Sequence, residues 1–384
     1  MDPTDPVELA RALIRCPSVT PEDAGALALV ADVLRQLGFV VHDLPFTEPG
    51  GATIRNLYAR HGQGGPFVLF AGHTDVVPPG EAAAWRDPPF AAAVHSGRLW
   101  GRGAADMKSG VAAEIAAVAR FLRDEPGADG SIGLMLTGDE EGRAIAGTRK
   151  VLAWMREHRE LPDFCVLAEP TSVERCGDTI KIGRRGSLNG TLTVHGKQGH
   201  IAYPERADNP VHRLVRMLAA LLAAPLDDGS AHFDPSSLEI STVDVGNPTG
   251  NLIPARAVAR FNIRYNDRHD RGSLERWLRA RLAPVGGRYD LVLETSGDAF
   301  LTRPGPVTAL VSAAVQEVTG KAPLPSTSGG TSDARFIKDL CPVVEVGLVG
   351  TTMHQIDESV ALADIEQLTR IFQAVLRQHL RRRP

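Results

Sequence analysis

Four near-continuous apolar runs constrain this chain most: "PFVLFAGHTD", "SIGLMLTGDEEG", "DFCVLAEP" and "CPVVEVGLVG". Each is followed by a turn and then by a helical pattern, and such runs read as strands covered on both faces. In "MKSGVAAEIAAVARFL", Met107, Val111, Ile115, Val118 and Leu122 recur at spacings of four and three, which predicts one apolar stripe on a helix starting just after Asp106. Strands alternating with helices give an α/β fold, a mostly parallel mixed sheet flanked by helices.

The rhythm changes between Arg184 and Glu294. There a strand "SLNGTLTVHG", a helix "NPVHRLVRMLAALLAA", strands "SLEISTVDVG" and "ARAVARFNIRY", a helix "RGSLERWLRARL" and a strand "YDLVLET" follow one another. That β-α-β-β-α-β order predicts an inserted ferredoxin-like α+β domain at residues 182–294, within an outer domain of residues 1–181 and 295–384. The 384 residues, 43% of them hydrophobic, are enough for two such cores.

Bulk properties exclude several classes. The amino-terminal "MDPTDPVELARALIRC" is charged and interrupted, unlike a secretory signal, and the longest apolar candidate, "LVRMLAALLAAPL", contains Arg216 and falls short of the roughly 20 residues that cross a bilayer. Cys16, Cys165, Cys176 and Cys341 form neither a CxxC pair nor a regular framework, which suits a reducing compartment. A cytoplasmic location with no membrane partner is therefore expected. The basic end "RQHLRRRP", in a chain of net charge −4 and without interleaved aromatics, reads as a solvated tail, so no nucleic-acid partner is expected.

At or beyond the end of each apolar run stands a side chain able to bind metal: His73, Glu141, Glu169 and His354, with Asp106 at a helix start. Ligands of open α/β sheets bind outside the carboxyl ends of the strands, so these positions converge on one rim. Two imidazoles and three carboxylates suit zinc, with cobalt or manganese as substitutes, and lack the thiolates of a closed structural site. Five ligands exceed what one tetrahedral ion needs, and they match two ions sharing one bridging carboxylate.

In "HTD", His73 and Asp75 are two apart, so on extended backbone their side chains lean to one side and Asp75 is placed to accept the second ring N–H of His73. In "DEE", neighbouring side chains cannot easily enter one coordination sphere. One glutamate would then bind metal while the other faces the reacting water as general base. Asp139 is expected to take no chemical part, its candidate task being to orient the loop through backbone N–H groups.

The segments "FAGHTDVVPPG", "GRGAADMKSG", "LTGDEEG", "LAEPT", "GRRGSLNGTLTVHGKQGHIAYP", "SGGTSDARF" and "MHQIDE" run in order across nearly the whole chain. Together they resemble the succinyl-diaminopimelate desuccinylase branch of the co-catalytic dizinc amidohydrolases, a family that also includes acetylornithine deacetylase and glutamate carboxypeptidases. The resemblance implies two Zn²⁺ ions, with Co²⁺ able to substitute. His73 and Glu169 would hold one, Glu141 and His354 the other, and Asp106 would bridge them. Glu140 would be the acid/base and Asp75 the orienting carboxylate.

It further implies that the inserted domain makes a homodimer and that His200 reaches the partner's active site to stabilise the oxyanion. The substrate would be the small molecule N-succinyl-LL-2,6-diaminopimelate. Its carboxylates would meet Arg184 and Arg264, with Tyr203, Asn251, Gly330 and Thr331 nearby and Lys181 as a further contact. Gly350 and Gln355 depart from the asparagine and lysine of many desuccinylases, which keeps acetylornithine deacetylase and a glutamate-releasing carboxypeptidase as alternatives. A non-catalytic scaffold would have lost part of this ligand set, and every member is present.

Overall fold

The apolar runs form the strands that carry the architecture. In a computed structural model describing residues 1–380, they are β1 (Val40–Asp43), β2 (Leu57–His61), β3 (Phe67–His73), β4 (Ser131–Thr137), β5 (Phe164–Leu167), β6 (Thr179–Lys181), β7 (Leu324–Ser326) and β8 (Val343–Glu345). They join in one eight-stranded sheet of order β1-β2-β4-β3-β5-β8-β6-β7. The central pairs β4/β3, β3/β5 and β5/β8 are parallel, as is β6/β7, while β1/β2, β2/β4 and β8/β6 are antiparallel. Every residue of β3, β4, β5 and β8 is buried, which accounts for their unbroken apolar character.

The longer helices of this unit are α1 (Pro6–Ile14), α2 (Ala26–Gln36), α3 (Lys108–Asp124), α4 (Thr148–Glu157), α5 (Pro306–Thr319) and α6 (Leu362–Leu380), with a single turn at Ala334–Ile337. Helix α3 departs from the single-stripe expectation. Of its 17 residues 13 are buried, because it packs on β3 and also against α1 and α6. Alanines at 112, 113, 116, 117 and 119 keep that second contact close.

The chain divides into two compact units: Met1–Ile182, Thr302–Ser326 and the segment from Ser332 onward form one, and Gly183–Leu301 with Thr327–Thr331 the other. In the second, strands Ser237–Asp244, Arg256–Tyr265, Gly186–His195 and Tyr289–Gly297 lie side by side in that order, all antiparallel. Helices Pro210–Leu222 and Arg271–Leu282 cover it, and Leu188, Leu192, Leu214, Met217, Phe261 and Leu278 share its core. The connectivity is ferredoxin-like. Alternating burial along Arg256–Tyr265 leaves the other face of this sheet partly wet, unlike the sheet of the first unit.

All four cysteines are free, and among the described residues no helix is long and apolar enough to cross a membrane. The last residues of the basic tail, 381–384, lie outside the described residues.

Candidate metal centre

Strand register brings the expected ligands to one rim. His73, the last residue of β3, stands opposite Thr137, the last of β4; Ala71 stands opposite Leu167, the last of β5; and Leu167 stands opposite Glu345, the last of β8. Glu140 and Glu141 follow β4, Glu169 follows β5, and the loop beyond β8 leads to His354. Asp106 arrives from the segment ahead of α3, through a cis peptide to Met107. Two glycines permit the close approach around Glu169: a Cβ on Gly347 would lie 2.0 Å from the Glu169 carbonyl oxygen, and one on Gly110 would lie 2.7 Å from that of Ala168.

Asp106 divides its carboxylate between the two histidines. Oδ1 lies 3.2 Å from His73 Nε2, and Oδ2 lies 3.4 Å from His354 Nε2. His73 Nε2 is also 3.8 Å from Glu169 Oε1, and His354 Nε2 is 2.8 Å from Glu141 Oε1. Ligand atoms of His73, Asp106 and Glu141 fall within 4.8 Å of one another, and so do those of His73, Glu140 and Glu169. The mixed nitrogen and oxygen set, free of thiolate, fits divalent ions of the zinc type. Both glutamates of "DEE" come within reach of a cation, a closer arrangement than their expected division of tasks required.

The electrostatics are those of acids gathered around two bases. Burial pushes Asp106 upward, but the hydrogen bonds from His354 and His73 hold it well below the usual carboxylate range. The same bonds, from Asp106 and then Glu141, raise His354 to about 10. Burial works against a charged His73, yet its bond to Asp106 and the charges of Asp75, Asp106 and Glu140 leave it well above its ordinary value. Burial first, and then the charges of Asp333, Glu141 and Asp106 against the opposing His73, raise Glu140 to about 8. Imidazolium charge balances the carboxylates, and a dication would do the same by displacing those protons.

The sequence profile of peptidase family M20/M25/M40 matches residues 69–378, which take in the whole rim. The chain belongs to that family. Proteins named succinyl-diaminopimelate desuccinylase are similar to it along almost their full length. That of Rhodospirillum centenum is 59% identical over 97% of this chain and 96% of its own, and that of Methylobacterium nodulans is 58% identical over 97% and 95%. Among solved structures, the M20 metallo-carboxypeptidase of Sulfolobus solfataricus shares the fold with a TM-score of 0.79 at 17% identity, covering 99% of both chains. A dinuclear metal-binding M20 peptidase of Bacillus subtilis does so with a TM-score of 0.73 at 15% identity, covering 97% of both.

Around the rim of this M20 chain, one supporting contact differs from its expected form. His73 Nδ1 meets the backbone oxygen of Asp75 at 2.9 Å, while the Asp75 carboxylate is 3.6 Å away. That carboxylate instead accepts the Thr20 hydroxyl at 2.6 Å and the backbone N–H groups of Glu140 and Glu141 at 3.3 and 3.1 Å. The turn after β3 lets the Asp75 main chain reach the ring first. Its side chain is thereby released to fasten the acidic loop.

Residues outside the expected set complete this support. Ser18 donates to the Thr74 carbonyl at 2.6 Å, and Lys108, fully buried, donates to the Cys16 carbonyl at 2.6 Å, so an amino-terminal segment backs the His73 turn. Lys108 stands inside the segment "GRGAADMKSG", but nothing in the sequence set it apart.

Asp139 orients its loop as expected, accepting from Arg143 N at 3.1 Å, Ile145 N at 2.8 Å and Ala146 N at 3.0 Å. Asp139→Ala leaves these donors without their shared acceptor and is expected to cost roughly 2–4 kcal/mol, read as a fall in the urea unfolding midpoint. An unchanged midpoint would remove this anchoring role.

The remaining expected residues fall into separate groups. Lys181 donates to Ser326 Oγ at 3.1 Å in the first unit. In the second unit, Arg184 donates to the Gly330 carbonyl at 3.1 Å, beside Thr331. Arg264 lies there on the strand facing Ser187; burial and then the charge of Arg185 lower its guanidinium pKa. Its Nη1 is buried with no hydrogen-bond partner among the described residues. His200 and Tyr203, rings 5.6 Å apart, sit with Asn251 at a short strand pair, all three exposed. The departing residues are placed too: Gly350 N donates to the Ser172 carbonyl, and the Gln355 amide to that of Thr351.

Proposed function

We propose that this chain hydrolyses the amide of N-succinyl-LL-2,6-diaminopimelate to succinate and LL-2,6-diaminopimelate, in the biosynthesis of diaminopimelate and lysine. It is a metal-dependent hydrolase, and its desuccinylase relatives match it from end to end at more than half identity. One observation carries the chemistry: the Asp106 carboxylate turned toward both histidines, with Glu140 gathered with His73 and Glu169 on the same rim. Two metal ions fit there, with zinc as the resident ion and cobalt as its substitute.

His73 and Glu169 would hold one ion and His354 and Glu141 the other, with Asp106 available to both. When bound, the ions acidify a water and polarise the amide carbonyl. Glu140 accepts a proton from the attacking water and delivers it to the leaving nitrogen as the C–N bond breaks, so succinate and a free amine result. Asp75 holds the backbone of both glutamates, which keeps the acidic loop in place beside the rim.

The first unit is the catalytic domain, and the second, Gly183–Leu301 with Thr327–Thr331 where the sequence suggested 182–294, is the domain through which two copies pair in the cytoplasm. His200 then serves the partner's site. Its Nδ1 accepts from Ala202 N at 3.1 Å, which places the ring proton on Nε2, a donor suited to an oxyanion. Arg184 and Arg264 bind substrate carboxylate, with Tyr203, Asn251, Gly330, Thr331 and Lys181 as further contacts. The unsatisfied Arg264 Nη1 supports that reading, since a buried guanidinium N–H gains most from an incoming anion.

The test is turnover by the zinc-supplied protein, followed as loss of amide absorbance. The highest kcat/KM is expected for N-succinyl-LL-diaminopimelate. A preference for N-acetylornithine or an acylglutamate would contradict the assignment.

A further inference from the structure

Behind the rim lies a buried ion pair that touches no expected ligand side chain. Glu358 is completely buried and Arg102 is 2% exposed; Arg102 Nη1 donates to Glu358 Oε2 at 2.6 Å. The carboxylate then accepts three main-chain N–H groups in the approach to Asp106. Gly103 N reaches Oε2 at 3.1 Å, and Ala105 N and Asp106 N reach Oε1 at 2.7 and 3.1 Å. The guanidinium faces the other way along the site, donating to the carbonyls of His354 and Gln355, both at 3.3 Å.

These contacts fall on the two ligands whose positions are hardest to hold. Asp106 must present both carboxylate oxygens, so its main chain has to be fixed. His354 sits in left-handed backbone, φ +63°, in an exposed loop, and a non-glycine residue there needs outside support. One charge pair provides for both. A purely stabilising pair would be an expensive choice, because apolar replacements of a buried ion pair are often equally stable.

We infer that Arg102 and Glu358 are positioning residues for the metal ion held by His354, Glu141 and Asp106, setting that site's affinity through the main chain of two of its ligands. The inference rests on the two-ion reading of the rim.

Zinc titration against a chromophoric chelator, with cobalt absorption spectra as a second readout, tests it in the full-length protein. Wild type is expected to bind two ions. In Glu358→Gln, which keeps the shape but weakens four hydrogen bonds, the ion held by His73 and Glu169, which shares only Asp106 with this support, is expected to weaken less than its neighbour. That neighbour should weaken by about 10–100-fold, the usual effect of removing a group that orients a ligand.

Arg102→Lys keeps the charge but cannot serve carboxylate and carbonyls together, so it should give the same split; it decides the matter if Glu358→Gln does not fold. Excess zinc should restore kcat with KM unchanged. Wild-type affinity at both sites with only a lowered unfolding midpoint, or equal weakening of both, would overturn the inference. A single ion in wild type would overturn the two-ion reading, and the inference with it.

Discussion

Glu140→Gln is expected to lower kcat by about 10²–10⁴-fold while two metal ions remain bound, the scale of a positioned acid/base. The substitution is nearly isosteric. The backbone N–H of residue 140 keeps its bond to Asp75, so the loop should hold its place. What disappears is a carboxylate able to take a proton from water and return it to the leaving nitrogen.

Metal analysis beside the rate measurement gives the result its meaning. Glu140 lies within ligand distance of His73 and Glu169, so a variant that lost an ion would make it a ligand. A variant with near-normal kcat would remove it from the chemistry altogether.

Asp106→Ala should have a comparable effect for a different reason. Both histidines face this one carboxylate, at 3.2 and 3.4 Å, so on the proposed two-ion reading its removal would take a ligand from each ion and most of the charge that keeps the two together. Metal content after dialysis is expected to fall from two ions to one or fewer. With it kcat should drop by about 10³-fold or more, corresponding to several kcal/mol of lost carbonyl polarisation. Full loading of this variant at ordinary affinity would show that Asp106 does not bridge.

Much of this arrangement was legible in the sequence because strand ends are. Continuous apolar runs marked β3, β4, β5 and β8, and in a parallel sheet the residues that follow such runs gather at one rim. His73, Glu141 and Glu169 needed no more than that.

Two kinds of feature were not legible. Local main-chain geometry decided whether the Asp75 side chain or its carbonyl met His73, and a spacing of two says nothing about where the chain turns. Long-range burial decided the rest. Lys108 looks like an ordinary helix-start cation and is in fact enclosed, and Thr20 reaches Asp75 from a distant amino-terminal loop. Arg102 and Glu358 find each other across most of the chain. Helix α3 shows the same limit, since its apolar stripe predicted one buried face and the packing of α1 and α6 supplied the second.

The distance between two bound ions tests the central claim most directly. X-ray absorption on the zinc-loaded protein is expected to show a metal–metal vector of roughly 3.5–4 Å, the separation of ions that share a carboxylate. The Asp106→Ala variant should lack that vector. An isolated zinc environment in the fully loaded wild type, with no second metal at that distance, would contradict the account.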